Sequence, residues 1–354
     1  TLIRASALGG ISITFAQYAM RSAGYDPSVA PYDQYARYLA AVAVLVAAGF
    51  NIRGVKWGSM VTNVTTIAKF GGLMFIVILA LAIGLPQSGG ANFTPAVPPG
   101  SFAIAPFGLA LVSVLWAFDG WADLSFVSGE VKDPQRNLPR ALIGGTVAVL
   151  AISLAANVGY LSVLSVEEIR RSPLVAADAA ERLVGAWGVA FVGLTVMVST
   201  FGTLNAVLLT SPRIFFAAAD DGLFFRPVAA VHPTYKTPWV AIGMTAALAV
   251  AFVLLRTFEQ LADTFVTAII PFYALAIASI YVLRRQRGYA PSFRVPGYPL
   301  IPALFILSTI FILANAVISP SSRWPTLAVM GVILLGVPVY FATVGRRAPA
   351  REGA

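Results

Sequence analysis

The sequence has no cysteine and a single histidine, His232, among its 354 residues. Disulfide bonds, thiolate nucleophiles and cysteine-bound metals are therefore excluded for these residues. One histidine supports neither a multi-histidine metal site nor a convincing catalytic triad. No GxxxxGK[ST] motif is present, so the sequence gives no sign of ATP binding. These absences argue against an enzyme, a resident metal ion and a cofactor.

Charge is also scarce. Only 11% of the residues are charged, 58% are hydrophobic, and the mean hydropathy is +0.81. A soluble domain has about 25% charged and about 45–50% apolar residues, so this composition excludes an ordinary soluble protein. A helix that crosses a bilayer needs about 20 apolar residues, and the chain has room for roughly ten of them. The composition predicts an all-α integral membrane protein.

Long apolar segments follow one another along the chain. Ten of them cover residues 4–22, 36–53, 57–84, 104–130, 138–164, 187–216, 238–256, 260–284, 299–319 and 324–344. No linker is long enough to separate two globular domains, so we predict one membrane domain over residues 1–354. The sequence opens at Thr1 almost directly in an apolar segment, and we expect an N-terminally truncated chain.

The formal net charge of +9 admits two interpretations, nucleic-acid binding or membrane topology. With the N-terminus in the cytoplasm, sixteen Lys and Arg residues, Arg4 among them, fall on the cytoplasmic side and seven fall outside. Cytoplasmic loops of membrane proteins carry this excess of positive charge. The sequence therefore predicts both termini in the cytoplasm, in a plasma or inner membrane, and no nucleic-acid partner.

Lys69 lies within the apolar segment 57–84, about 18 Å from Trp57 at 1.5 Å per residue. The hydrocarbon core is about 30 Å thick, and a charge at its centre costs at least roughly 2.5–3.5 kcal/mol. Lys69 must therefore face a partner, water or a ligand. Two roles remain open, a static lysine that ties helices together and a coupling group that binds and releases a proton.

Asp119 and Gly120 lie near the centre of the apolar segment 104–130, with Asp123 one helical turn further on. An Asp-Gly pair has poor helix propensity and predicts a broken helix in this segment. Irregular backbone at membrane depth is tolerated only where it lines a cavity or is buried in protein. The pattern favours a ligand-binding break, and the alternative is a buried aspartate in a helix that is merely kinked.

Two further segments carry weaker signals. Segment 187–216 contains the polar cluster Ser199, Thr200, Thr203 and Asn205, whose hydroxyls either bind a cation or ammonium group or bond back to carbonyls of their own helix. Segment 260–284 contains Pro271, Phe272 and Tyr273, for which packing at a proline kink is the favoured interpretation.

The stretch WAFDGWADLSFVSGEVKDPQRNLPRAL (116–142) resembles the sixth helix and following loop of the amino acid–polyamine–organocation permeases, most closely their L-type branch. Residues 51–72 resemble that family's fourth-to-fifth helix region, residues 199–224 its eighth helix, and residues 293–305 the start of its eleventh. The resemblance implies the LeuT-like fold of inverted five-helix repeats. The ten spans then correspond to helices three to twelve, and the first two helices are not among them.

The resemblance also implies roles for individual residues. Lys69 matches a lysine that occupies the place of a sodium ion in sodium-coupled relatives, and Ser199 matches its hydroxyl partner. The matching substrate-binding residues are the aromatic gate Trp116, the unwound stretch Ala117, Phe118, Asp119 and Gly120, and the adjoining Trp121. The carbonyls of that stretch would receive the amino group of the substrate. The carboxylate of the substrate would bind at the first helix of the family's fold, which is not among the ten spans.

The function implied is a sodium-independent amino acid permease, either an exchanger or proton-coupled. Asp119 stands where many relatives have glycine or a neutral residue, and it either reads a cationic side chain or carries a proton. Asp119 and Asp123 keep open the alternative of a polyamine or other organic-cation permease. Animal members are linked to an accessory glycoprotein through a cysteine, which this chain lacks. A membrane-embedded enzyme and a non-transporting sensor have no feature in their favour.

Overall fold

The computed structural model describes residues 2–94, 102–291 and 293–343, and the helices below are those of these ranges. The termini, to which the predicted cytoplasmic location applies, lie outside the described residues at 1 and 344–354. The α-helices are α1 (Leu2–Ser22), α2 (Tyr32–Arg53), α3 (Val55–Leu79), α4 (Leu85–Ser88), α5 (Ile104–Phe118), α6 (Pro134–Val163), α7 (Val166–Arg171), α8 (Val175–Val184), α9 (Ala186–Asp220), α10 (Trp239–Leu255), α11 (Phe258–Leu283), α12 (Leu300–Ile318) and α13 (Arg323–Thr343).

Each of the ten predicted apolar segments overlaps one helix of at least 15 residues in the described ranges. Seven helical stretches of the described residues are long and apolar enough to cross a membrane: α2, the rod formed by α3 and α4, α6, α9, α11, α12 and α13. The helices α5 and α10 are apolar but shorter, with 15 and 17 residues. The helix α1 is not among the seven. Its polar side chains Arg4, Ser6 and Ser12 are buried, because neighbouring helices enclose it.

The core of the bundle forms where α1 and α9 cross, with α2 and α10 packed against them. Leu8 of α1, Val44 of α2 and Leu204 and Leu208 of α9 are completely buried in one hydrophobic cluster. Large apolar side chains that are removed from contact with solvent supply most of the favourable free energy of such packing. These four helices form one densely packed group, in which α1 packs against α2, α9 and α10.

The helices α3 and α9 approach each other closely along glycines. A side chain at Gly202 of α9 would overlap Thr65 of α3, and one at Gly72 of α3 would overlap Thr195 of α9. Small residues at such points let helix backbones meet in membrane proteins. Lys69 lies one turn after Thr65, and Ser199 lies one turn before Gly202. The close contact therefore brings the lysine and the serine to the same level of the bundle.

A π-helical turn over Ala80–Gly84 joins α3 to α4. The carbonyl oxygen of Ala80 accepts the π-helical hydrogen bond from the backbone amide of Leu85. The hydroxyl of Ser162, on α6, also lies within hydrogen-bond distance of this oxygen, at 3.1 Å. The irregular turn is thus held by the neighbouring helix.

Candidate functional site

The helix α5 ends at Phe118, and the next two residues leave the α-helical conformation. Asp119 is extended (φ −68°, ψ 157°), and Gly120 has a positive φ of 113° that strongly favours glycine. A 3₁₀-helix then covers Trp121–Glu130. The helix is therefore interrupted at the Asp-Gly pair, within the predicted segment 104–130. We refer to Asp119 and Gly120 as the break.

Tyr273 of α11 holds the break from one side. Its hydroxyl donates a hydrogen bond to Oδ1 of Asp119 at 2.7 Å, and its ring lies 5.0 Å from the ring of Trp121. The sequence assigned Tyr273 only to packing beside Pro271, and that interpretation was incomplete. The partner lies 154 residues away along the chain, so no local pattern could have indicated the bond.

Arg4 of α1 holds the segment after the break from the other side. Its guanidinium forms an ion pair with Oδ1 of Asp123 at 2.6 Å, and the two side chains are 5% and 17% exposed. The sequence placed Arg4 among the cytoplasmic charges that orient the helices, and this orientation stays a prediction. In the structure the Arg4 side chain is buried inside the bundle, a contact that the charge count did not indicate. Its place at the very start of the apolar segment 4–22 was a signal that could have indicated this.

Trp116, in the last turn of α5, packs against two aromatic rings of α11. Its ring lies edge-on to Phe258 and Phe265, with centroid distances of 5.9 Å and 5.3 Å. A side chain added at Gly10 of α1 would come within 2.9 Å of the Trp116 ring. Trp116 therefore fills the space between α1, α5 and α11 just before the break.

Two cavities meet at the break, and both are lined by Lys69, Ala117, Asp119, Gly120 and Phe265. The first, which we call the polar cavity, has a volume of about 530 Å³ and lies between α1, α3, α5 and α9. Its further polar lining residues are Arg4, Thr62, Thr65, Thr66, Asp123, Ser199, Thr200, Thr203 and Thr210. The second, the apolar cavity, has a volume of about 600 Å³ and lies between the break, α6, α11 and α12.

The structure brings the predicted site residues together around these two cavities. Trp116, Lys69 and Ser199 line the polar cavity. Phe118 and Trp121 line the apolar cavity. The ammonium group of Lys69 lies 5.6 Å from the centre of the Phe70 ring. Residues separated by up to 130 positions in the sequence therefore face one region of the bundle.

The other polar residues of α9 divide between two roles. Thr200 and Thr203 donate hydrogen bonds to the carbonyls of Val196 and Ser199, four residues earlier, as one of the two interpretations held. Asn205 instead accepts a hydrogen bond from Asn51 of α2 at 2.9 Å. This buried amide pair connects α2 to α9. The side-chain amide of Asn205 also donates a hydrogen bond to the hydroxyl of Thr62, which lines the polar cavity.

A broken helix that opens into a cavity with buried charges, inside a bundle of apolar helices, is the arrangement by which membrane transporters bind a charged ligand. The class defined by the fold and the site is therefore that of membrane transporters. Sequence comparison makes the class specific. Residues 2–337 match the family described as Amino acid permease, and the chain belongs to this family.

Individual relatives agree with this. The chain is 33% identical over 311 residues to the serine/threonine exchanger SteT of Bacillus subtilis (strain 168), a match that covers 87% of the chain and 69% of the relative. It is 29% identical over 346 residues to the human b(0,+)-type amino acid transporter 1, covering 97% and 69%. It is 30% identical over 346 residues to the large neutral amino acids transporter small subunit 2 of Oryctolagus cuniculus, covering 94% and 62%.

The chain thus spans about two thirds of the length of these relatives. The family and the relatives confirm the resemblance to L-type permeases, the all-α membrane fold and the assignment as a transporter rather than an enzyme. They favour amino acid transport over a polyamine or organic-cation cargo. The protein is a multi-pass membrane protein of the amino acid permease family.

Proposed function

We propose that the protein is a sodium-independent amino acid permease that works by alternating access, as an exchanger or with protons. It would lie in the cytoplasmic membrane with both termini inside. The observation that carries the proposal is the break itself. It places the end of α5 and Asp119 at the wall of a cavity that also contains Lys69 and Ser199.

The end of α5 is suited to an ammonium group. The last carbonyls of a helix lack partners within the helix, and the helix dipole gives this end a partial negative charge. Ala117 and Gly120 both line the polar cavity at this point. The amino group of an amino acid would bind to carbonyls of the stretch 117–120, under Trp116, with Phe118 and Trp121 facing the apolar cavity.

Lys69 and Ser199 would act as the coupling pair. Both line the polar cavity, and α3 and α9 meet there along Gly202 and Thr65. A resident ammonium group repels a sodium ion placed at the same point, which supports transport without sodium. Because Lys69 lines both cavities, a conformational change at the break would also be transmitted through this pair to α3 and α9.

The names of the relatives supply the substrate class and one mode of transport. SteT is described as an exchanger, and the other two as an amino acid transporter and a transporter of large neutral amino acids. We propose exchange of amino acids on this basis. The chain has no cysteine, so its 354 residues offer no disulfide link to an accessory subunit.

The test is uptake of radiolabelled serine and leucine into proteoliposomes by the complete protein. With unlabelled amino acid inside, we expect uptake that continues when choline replaces sodium and that putrescine does not inhibit. Loss of uptake in choline would contradict sodium independence. Inhibition by putrescine, without inhibition by neutral amino acids, would support the organic-cation alternative instead.

A second arm of this experiment separates exchange from proton coupling. Empty liposomes with an inward proton gradient should take up substrate if the permease is proton-coupled. Liposomes that need internal amino acid regardless of the gradient indicate an exchanger.

A further inference from the structure

The ionisable residues that line the polar cavity in the described part of the chain are Arg4, Lys69, Asp119 and Asp123. They are two cations and two carboxylates, so their formal charges cancel. The sum stays at zero if a proton passes from Lys69 to Asp119, because both groups then become neutral. The cavity is thus balanced before any ligand enters it.

Arg4 is responsible for part of this balance. Its ion pair with Asp123 is short, at 2.6 Å, and almost completely buried. A buried ion pair contributes little to stability compared with a neutral pair of similar size, because both charges lose their hydration. The effect of Arg4 on the cavity is larger. Without it, the charge of Asp123 would add to that of Asp119, which lies one turn earlier on the same segment.

The balance decides which side chain the site tolerates. An amino acid with an uncharged side chain is a zwitterion and leaves the sum at zero. A lysine or arginine ligand would add one positive charge beside two resident cations, in surroundings where water screens charge poorly. Specificity of this kind comes from an unfavourable interaction with the wrong ligand as well as from contacts with the right one.

We propose that Arg4 is a specificity-determining residue: by neutralising Asp123, it makes the site accept amino acids with uncharged side chains and reject cationic ones. This inference rests on the proposed function, since it concerns the ligand of the same site. It also assigns Asp119 to Tyr273, which already donates a hydrogen bond to it, rather than to a cationic side chain of the substrate.

The experiment compares uptake of labelled serine, leucine and lysine by the complete protein in liposomes. The wild type should prefer serine or leucine to lysine by about tenfold or more, the size that a single buried charge commonly gives. Arg4→Gln should raise the ratio of lysine to neutral uptake by about tenfold or more, because Asp123 is then unpaired. Norleucine and lysine, which differ by one ammonium group, serve as the matched pair of competitors.

The double variant Arg4→Gln/Asp123→Asn is the matched control. It removes both charges of the pair, so its selectivity ratio should return to that of the wild type. Asp123→Asn alone removes the negative charge that Arg4 faces in the cavity and should shift uptake towards glutamate.

The outcomes separate the two levels of the argument. A wild type that takes up none of the amino acids contradicts the proposed function. A wild type that carries serine or leucine but takes lysine equally well overturns the role of Arg4, as does an Arg4→Gln variant with an unchanged ratio. If Arg4→Gln fails to reach the membrane, Asp123→Asn decides: a shift towards glutamate supports the charge balance, and an unchanged ratio of glutamate to neutral uptake overturns the proposal.

Discussion

The two sides of the break differ sharply in how their helices are packed. On one side, 44% of the residues in the most apolar stretch of α2 are buried, and 33% of those in α9. On the other side, the corresponding share is 6% for both α6 and α13. The first group encloses α1 with its buried polar residues. The second exposes apolar side chains such as Leu154 of α6 and Leu335 of α13, and α12 on the same side exposes Leu307; these side chains suit contact with lipid.

Tyr273 of α11 donates a hydrogen bond to Asp119 of the break, and Arg4 of α1 forms an ion pair with Asp123, three residues after the break. The helix α5 before the break packs in a hydrophobic cluster with Phe265 and Val266 of α11 and Ile312 of α12. The break itself and the segment after it are held by these polar contacts. We refer to α1, α2, α9 and α10 as the scaffold, and we expect the segment after α5 to rearrange more easily than the scaffold.

The largest effect on transport is expected from Lys69, which lines both cavities. Lys69→Ala should lower transport roughly 100-fold, as expected for the loss of charged interactions worth about 3 kcal/mol. The measurement is exchange of labelled substrate in proteoliposomes, with the amount of inserted protein determined in parallel. Lys132→Ala removes the same kind of charge from an exposed loop and should transport normally. Unchanged transport by Lys69→Ala would remove the coupling role.

The next effect tests the packing itself. Leu208→Ala should lower the free energy of unfolding by about 2–4 kcal/mol, because the side chain is completely buried in the core of the scaffold. Leu307→Ala, on the outer side, removes a side chain that is 60% exposed and should change it by less than about 0.5 kcal/mol. Thermal unfolding in detergent measures both. Similar effects at the two positions would contradict the difference between the two sides.

A smaller effect is expected at the contact with α11. Tyr273→Phe removes the hydrogen bond to Asp119 and should raise the KM for transport by about fivefold, since such a bond contributes about 1 kcal/mol. The matched control on the same helix is Tyr281→Phe, which loses only a bond to the carbonyl of Pro299. If both variants have the same KM, Tyr273 does not position the break.

The smallest effect is expected at the exposed start of α7, which Ser165 caps. Ser165 donates hydrogen bonds from its backbone and side chain to Glu168 of α7, and these bonds hold the pKa of the Glu168 carboxyl below its usual value. A lowered pKa in the folded state stabilises α7 above the pKa of the unfolded chain. This contribution disappears as the pH falls through the folded pKa.

Glu168→Gln should therefore speed amide hydrogen exchange in α7 slightly at neutral pH and remove its pH dependence. The scaffold should exchange at an unchanged rate. A wild type whose α7 exchange does not depend on pH, after correction for the intrinsic rate, would contradict this role of the carboxylate.

Several features of the fold follow directly from local sequence. The ten long helices coincide with the apolar segments because a span must be apolar over its whole length. The helix also ends at the Asp-Gly pair, since Gly120 adopts a positive φ that other residues rarely adopt. Family membership follows from motifs such as residues 116–142. These features depend on a residue and its near neighbours.

The long-range contacts of the break and of the segment after it could not be predicted in this way. Arg4 and Asp123 are 119 residues apart, and nothing in either segment identifies the other. The short helices α7 and α8 were also missed, because they are too short for an apolar segment to indicate them. The roles of Lys69 and Ser199 remain predictions. The structure shows that they share a cavity, and transport measurements must show what they do there.

The π-helical turn at Ala80–Gly84 has a consequence for comparing this chain with its relatives. A turn of this kind accommodates one residue more than an α-helix between the same two flanking segments. A relative that is one residue shorter can form a regular helix here without moving either end. An alignment gap near the end of α3 therefore belongs within 80–84, and Lys69 and the residues before it keep their register on both sides of the comparison.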